Sequence, residues 1–300
     1  MNSLVPGIRW GVEQRLEFIE FRLFWEGGVN RSDIIDMFGV SVPQASKDLS
    51  LYQERAPGNT DYDKSAKRYV ASVSFQPVFM QPDPNAYLSR LRSAAEGLTQ
   101  PAESWIAQLP TSDIALTPKR EIDTNVLRAI LNAVREKRSV EICYQSMNKS
   151  RPEPIWRRIS PHAFGYDGFR WHTRAYCHMQ QQFKDFLLPR SLYARNEGKP
   201  SLGGENDRKW NEFFEIKIAP HPRLTASQQS VVAKDYGMQS GQANLSVRYA
   251  MLFYVVRRLG LLGNPEERDP YTQHIVVLNK EATQFALDQK EEVFSPIDDS

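Results

Sequence analysis

The stretch GFRWHTRAYC, residues 168–177, decides how the middle of this chain is read. Its side chains alternate as in a β-strand, with Phe169, Trp171, Thr173, Ala175 and Cys177 on one face and Arg170, His172, Arg174 and Tyr176 on the other. An ordinary half-buried strand hides the first face and wets the second. Two arginines, a histidine and a tyrosine in register, with Arg157, Arg158 and His162 upstream and Arg190 downstream, point instead to a pocket for an anion. A solvated sheet face is the plain alternative, since antiparallel sheets commonly wet one side.

Similar runs surround it. SVEICYQS (139–146), RRISPHAF (157–164) and QFKDFLLPRSL (182–192) read as strands, preceded by a helix over DTNVLRAILNAVREKR (123–138) whose Leu127, Ile130, Leu131 and Val134 form one stripe. Short strands after a helix, with turns at 148–154 and 166–168, fit a small, strongly bent sheet of the barrel type. Tyr144 and Ser146 share a face with Ile142, which would set a phenol and a hydroxyl beside the arginines.

Charge supports the same segment. The net charge of +2 is unevenly divided: residues 1–95 carry 11 basic and 11 acidic side chains, whereas residues 119–199 carry 16 basic against 8 acidic. A basic centre in a nearly neutral chain argues for an anionic partner there, whether nucleotide, nucleic acid or phosphate. The first residues lack the pattern of a signal peptide, and no apolar run approaches a membrane span, so a cytoplasmic protein with no membrane partner is expected. Cys143 and Cys177 lie in strand-like runs and read as buried thiols.

Towards the N-terminus, Val12, Leu16, Ile19 and Leu23 recur at helical spacing and Gly27-Gly28 ends that helix. Asn30 caps a short second helix carrying Ile34, Ile35 and Phe38, and Gly39 supplies a tight turn. Ser41 then caps a third helix, with Pro43 in its first turn. Its pattern turns Val42, Ala45, Leu49 and Tyr52 inward and leaves Gln44, Lys47, Asp48 and Gln53 outside. This is a helix-turn-helix pattern in which Ser41, Gln44, Ser46 and Lys47 sit where a recognition helix meets bases and phosphates. The following β-prone segment suits a hairpin wing offering Lys64, Lys67 and Arg68 to phosphates. Three helices and a hairpin also occur in modules that bind protein only.

Beyond Asp83-Pro84 a helix presents Tyr87, Leu88 and Leu91 to the winged unit or to a second copy of the chain. A proline-broken connector holds Trp105 and Ile106 in a short docked helix. After a glycine-rich linker, GKPSLGGEND, the last hundred residues alternate strands and helices: FFEIKIAP, LTASQQSVVAKDYG, LSVRYAMLFYVVRRLG and QHIVVLN. Leu252, Phe253, Val255 and Val256 serve either its core or a subunit contact.

The common hydrolase, nucleotide-hydrolysing and zinc motifs are absent, so no catalytic residue, cofactor or metal is assigned. Glu215-Ile216-Lys217 offers the Glu-x-Lys of a metal nuclease, without a convincing acidic partner because Asp207 falls in the linker.

FGVSVPQASKDLSLY with YDKSAKRYV in the first part, and RRISPHAFGYDGFRWHTRAYC with FLLPRS in the second, resemble the WYL-domain transcription regulators. The likeness is to those found beside bacterial antiphage defence systems of the BREX and CBASS type. It implies an α+β multidomain chain: a winged helix-turn-helix over 1–96, a connector over 97–118, an Sm-like or SH3-like WYL β-barrel over 119–200, and an α+β dimerisation domain over 201–300. It also implies a homodimeric repressor on a double-stranded DNA operator with an inverted repeat, released by a nucleotide or nucleic-acid ligand. The Trp-Tyr-Leu tripeptide is Trp171-His172-Thr173 here, so only the tryptophan is kept. By position Tyr144, Ser146, His162, Arg174 and Arg190 match the ligand pocket, and His172, in place of the family's tyrosine, is a further candidate that changes the polarity of its face. A different class of reading makes the basic barrel the primary site of an RNA or single-strand binding module.

Overall fold

Asn30 and Ser41 set the geometry of the N-terminal unit. In the computed structural model, which describes residues 10–100, 104–115, 117–118, 120–149, 152–199 and 202–294, both side chains cap helices. Asn30 accepts from the Asp33 amide while the Asp33 carboxylate accepts from the Asn30 amide, a reciprocal pair that starts α2 (Arg31–Phe38). Gly39 ends it in the left-handed region at φ 63°, and the Ser41 hydroxyl accepts from the Gln44 amide to start α3 (Val42–Arg55). With α1 (Trp10–Trp25) these helices bury Leu16, Ile19, Leu23, Ile34, Ala45, Leu49 and Tyr52 in one core.

Two positions on α3 depart from the expected pattern. Val42 is 55% exposed because the first turn projects beyond the core, and Asp48 is 1% exposed because Arg15 of α1 draws it in at 2.6 Å. The expected wing is the hairpin of β1 (Thr60–Asp63) and β2 (Arg68–Ala71). It is fastened to the loop after α1 by an antiparallel bridge between Val29 and Tyr69. Gly28, at φ 150°, permits this approach: a Cβ there would lie 2.4 Å from the Tyr69 carbonyl oxygen.

Buried Glu20 ties the segment after the wing to α1. Its carboxylate accepts from the Tyr52 hydroxyl and from the amides of Val78, Phe79 and Met80 at 2.6 to 3.0 Å. Further on, α4 (Pro84–Ala95) lays Tyr87 against Phe21 with ring centroids 5.9 Å apart, so this helix packs on the winged unit itself. Trp105 meets Phe18 and Phe21 edge-on, but residues 104–109 form bends; the expected short helix is replaced by a docked irregular segment.

The chain divides into two compact units, Met1–Leu116 and Thr117–Ser300. The second begins with α5 (Thr124–Arg135), which packs Val126, Ile130 and Ala133 on a five-stranded antiparallel sheet. Leu131, expected in its stripe, is exposed. The strands are β3 (Ser139–Tyr144), β4 (Ile155–Tyr166), β5 (Trp171–Cys177), β6 (Gln182–Leu187) and β7 (Ser191–Gly198), in the order β6-β5-β4-β3-β7. This corrects the expected barrel. A three-residue turn, Leu188–Arg190, carries the chain from one edge strand to the other, yet no ladder joins β6 to β7 and the sheet stays open.

After the short helix α6 (Arg208–Asn211), a second sheet takes the order β10-β8-β9, from β8 (Phe213–Pro220), β9 (Ala243–Arg248) and β10 (Ile275–Val277). The helices α7 (Ala226–Asp235), α8 (Tyr249–Arg258) and α9 (Lys280–Asp288) accompany it. Leu252 and Val256 belong to its core with Ile216, Ile218 and Ile275, whereas Phe253 is exposed. Among the described residues no helix is long and apolar enough to cross a membrane.

Candidate functional site

In the N-terminal unit α2, α3 and the wing enclose a polar cleft of about 490 Å³. Asn30, Arg31, Ser46, Ser50, Tyr62 and Lys67 are among the residues lining it. Two of the candidates, Ser46 and Lys67, are thus brought together, and Lys47 stands exposed on the same helix as Ser46. Lys67 sits at the wing tip with φ 50°, in a turn held by Asp63, whose carboxylate accepts from Ser65 and Ala66. Lys64 is exposed in that turn. Ser41 is committed as the helix cap, and the Gln44 side-chain amide donates to Asp48 at 2.9 Å. Arg68 does not face the cleft's opening: its guanidinium donates to the Glu26 carbonyl and anchors the wing.

Sequence reasoning missed Arg31. It is exposed at the first position of α2 and its guanidinium reaches the Ser46 hydroxyl at 3.5 Å. The capping pair at Asn30 and Asp33 was the available signal, because it places residue 31 at a helix N-terminus, where anions are favoured.

The C-terminal unit holds the second group. Odd-numbered residues of β5 face α5 and even-numbered ones face the other way, as alternation requires, but the second face is not wet. It lies under the segment that follows the sheet. Arg174 is 2% exposed and grips three carboxylates: Asp207 through two bonds of 2.7 and 3.0 Å, Glu291 at 3.0 Å and Asp185 at 3.4 Å. Asp207, expected in a linker, is buried, accepts from the Trp210 amide and meets His162 Nε2 at 3.0 Å. An irregularity in β4 between Pro161 and Ala163 turns His162 onto this face. Gly204 fits there because a Cβ would lie 2.7 Å from the imidazole.

His172 is likewise engaged. Its Nε2 meets Asp167 at 2.9 Å, and its ring lies 4.7 Å from that of Tyr254. The three remaining candidates are elsewhere: the Tyr144 phenol lies beside an arginine, with the Arg157 guanidinium 6.0 Å from its ring centroid, but on the face opposite Arg174. Tyr144 is on the α5 face, where its hydroxyl accepts from the Leu187 amide at 3.3 Å and its ring meets Phe186. The Ser146 hydroxyl accepts from the Asn148 amide, and Arg190 offers its carbonyl to Gln145. Around Tyr144, Arg157 Nε, Thr173 Oγ1 and Ser191 Oγ are buried without a partner among the described residues. Arg158, by contrast, pairs with Glu141 at 3.1 Å.

Electrostatics reinforce the clasp. Burial pushes the Asp207 carboxyl up, but hydrogen bonds from His162 and Arg174 outweigh it and hold the group below the usual range. Burial opposes the charge of Arg174 too, and Asp207, Asp185 and Glu291 overcompensate, raising its pKa above the ordinary value. Asp167 is held low by His172, the Phe169 and Arg170 amides and the Arg170 side chain, against burial. For a carboxylate depressed on folding, stability is complete above its unfolded pKa and lost as pH falls through the folded one. The thermal midpoint of the C-terminal unit should therefore fall as pH drops below about 4. Scanning calorimetry of wild type and Asp167→Asn checks this: the variant should depend less steeply on acid, and parallel curves would dismiss Asp167 as a contributor.

The nuclease reading finds no support. Glu215 and Lys217 are exposed on β8, and no group of three or more His, Cys, Asp or Glu is placed to hold a metal among the described residues.

Three family models match the chain. They are the BrxR transcriptional regulator winged helix-turn-helix domain over residues 11–93, the WYL domain over 125–191 and the BrxR transcriptional regulator C-terminal dimerization domain over 213–283. The DNA-binding transcriptional repressor CapW of Escherichia coli (strain KTE188) is 40% identical over 292 residues, covering 96% of this chain and 93% of that one. The repressor of the same name from Stenotrophomonas maltophilia is 39% identical over 91% of each chain. Among solved structures, proteasome accessory factor B/C of Arthrobacter aurescens aligns with 92% of this chain and 46% of its own, at 14% identity and a TM-score of 0.29, too slight a likeness to add to the fold.

Proposed function

The chain belongs to the family of DNA-binding transcriptional repressors that join a BrxR winged helix, a WYL domain and a BrxR C-terminal dimerization domain, and from that premise we propose that it acts as a homodimer on an inverted-repeat operator. Its two recognition helices enter successive major grooves about 34 Å apart, the spacing of one turn of DNA. The operon it controls belongs to an antiphage defence system, and a nucleotide or nucleic-acid ligand releases the operator.

The observation that supports DNA contact best is the cleft between α2, α3 and the wing. Arg31 and Lys67 flank it, Lys47 stands exposed beside it, and Ser46 offers a short polar side chain between them. Residues 1–95 carry no net charge, so this local placement supplies the phosphate contacts that bulk charge does not. Lys47→Ala should weaken binding to the chain's own upstream DNA and lower the salt slope by about one. Gel-shift titrations at several salt concentrations, with a scrambled duplex as control, make the test; unchanged affinity and slope would move the recognition surface off α3.

Release requires a ligand that prefers the DNA-incompetent arrangement, by about 5.5 kcal/mol for a near-complete switch. The proposed sensing residues remain Tyr144, Ser146, His162, His172, Arg174 and Arg190, distributed over both faces of one sheet. An anion acting at Arg174 or His172 has to displace the chain's own carboxylates, so release on this reading is the opening of a clasp. The single-strand binding reading finds less support, since Arg158, Arg170 and Arg174 already have acidic partners.

A further inference from the structure

Asp48 is an unusual residue to bury in a recognition helix. Arg15 of α1 grips its carboxylate with Nε on one oxygen at 2.6 Å and Nη2 on the other at 3.2 Å, while Nη1 donates to the Gly11 carbonyl at 2.8 Å. Both partners are nearly closed to solvent, at 13% of the arginine side chain and 1% of the aspartate. Stability alone does not account for the pair, because apolar side chains of similar volume commonly fill such a place equally well or better. What the carboxylate holds besides Arg15 is Gln44.

The third donor on Asp48 is the Gln44 side-chain amide, whose Nε2 meets Oδ1 at 2.9 Å. Such an amide has an accepting end and a donating end, and its neighbours decide which way it points. A carboxylate gripped by a guanidinium only accepts, so the nitrogen of Gln44 has to face Asp48 and its oxygen has to face away. Among the described residues no hydrogen bond reaches that oxygen. Gln44 lies in the first turn of α3, the part of a recognition helix that meets base edges in the major groove, and exposed Lys47 follows one turn on. As an i, i+4 pair, glutamine and aspartate also steady a helix, but that effect is small and asks for no buried arginine.

Only one base edge matches a glutamine presented this way. Oε1 needs a donor, and the second hydrogen on Nε2, on the side of the oxygen, needs an acceptor. Adenine offers its N6 amino group beside N7, whereas guanine sets two acceptors there, thymine an acceptor and a methyl group, and cytosine a donor with no acceptor next to it. We propose that Gln44 reads an adenine in each half-site of the operator, through N6 and N7, and that Asp48 and Arg15 are positioning residues that fix its amide for that base.

The buried pair works by exclusion. A flipped amide would offer its nitrogen to guanine O6 and N7, but it would also set Oε1 against the Asp48 oxygen with no hydrogen between them. Asp48 therefore discriminates against guanine without touching DNA, and Arg15 keeps Asp48 in place to do so. Adenine selection rests on α3 being the operator-reading helix, as proposed above, and adds which base that helix selects.

The test selects duplexes with a random central stretch on the full-length protein at about 150 mM salt and sequences those retained. Wild type should enrich a two-fold symmetric site with an adenine at one position of each half. Gln44→Ala should enrich the same site with that one preference erased, a loss of about tenfold in discrimination against guanine. Its melting temperature should hold, because Gln44 is only half-buried. Asp48→Asn, which frees the amide to flip, should accept guanine as readily as adenine there and keep every other preference, a pattern that a merely loosened helix does not produce. A further arm leaves the protein unaltered and so stands even if Asp48→Asn fails to fold. In the enriched duplex, 7-deazaadenine, which lacks the N7 acceptor, should replace that adenine at a severalfold loss of wild-type affinity and no loss in Gln44→Ala. If wild type enriches no sequence, the operator reading fails and adenine selection with it. If wild type enriches a site but Gln44→Ala keeps every preference, or loses one for another base, or if 7-deazaadenine costs nothing, the operator reading stands and the role of Gln44 is overturned. An undiminished adenine preference in folded Asp48→Asn overturns the positioning role of Asp48.

Discussion

Replacing Arg174 by methionine should lower the unfolding free energy of the C-terminal unit by about 3–5 kcal/mol, the usual cost of removing one partner from a buried ion pair. The effect comes from what is left behind. Asp207, with 1% of its surface exposed, would keep only His162 and the Trp210 amide, and Glu291 would lose its bonds to the guanidinium. Adding Asp207→Asn should restore part of the loss, since the amide oxygen still caps α6 without a buried charge. The coupling between the two substitutions should exceed about 1 kcal/mol, as expected of residues in direct contact. Denaturant unfolding of the four proteins measures it; strictly additive losses would show that the arginine acts through packing of its stem alone. On the proposed function, a loosened clasp should also release the operator without any ligand.

The second large effect is expected at Glu20. Glu20→Ala should cost about 3–5 kcal/mol in the N-terminal unit, because three backbone amides and the Tyr52 hydroxyl lose a charged acceptor in a dry site. Tyr52 is the last buried residue of α3, so this carboxylate holds the recognition helix against α1 as well as the segment after the wing. Burial and the neighbouring Glu20 charge both push the Tyr52 phenol up, which keeps it a donor. Operator affinity should fall with stability in Glu20→Ala, whereas Lys47→Ala should lose affinity with its melting temperature intact. A Glu20→Ala chain as stable as wild type would mean that water replaces the carboxylate, and the segment after the wing would then be independent of the helices.

Local signals were legible throughout the winged unit. Asn30, Gly39, Ser41 and Pro43 act through bonds to residues three or four places away, and the structure places each as its chemistry demands. Asp48 was not legible: its charge argued for solvent, and the charged partner that makes burial tolerable, Arg15, lies 33 residues earlier. β7 went unseen for a similar reason, since Leu192-Tyr193-Ala194-Arg195 has no buried alternation and is held chiefly by its ladder to β3. The site in the C-terminal unit divides along the same line. Alternation correctly put Arg174 and His172 on one face of β5, and put Thr173 and Ala175 on the other.

By itself, then, the sequence determined where helices start and stop, which residues share a strand face, and which family the chain resembles. These follow from short-range bonds and a two-residue period. The tertiary structure alone decided what each face meets. Asp207 and Glu291 reach Arg174 across 33 and 117 residues, turning an apparent anion pocket into a clasp closed by the chain's own carboxylates. It also decided that the sheet stays open. Pairing and burial depend on segments brought together by chain closure, and no local pattern records which distant carboxylate will arrive.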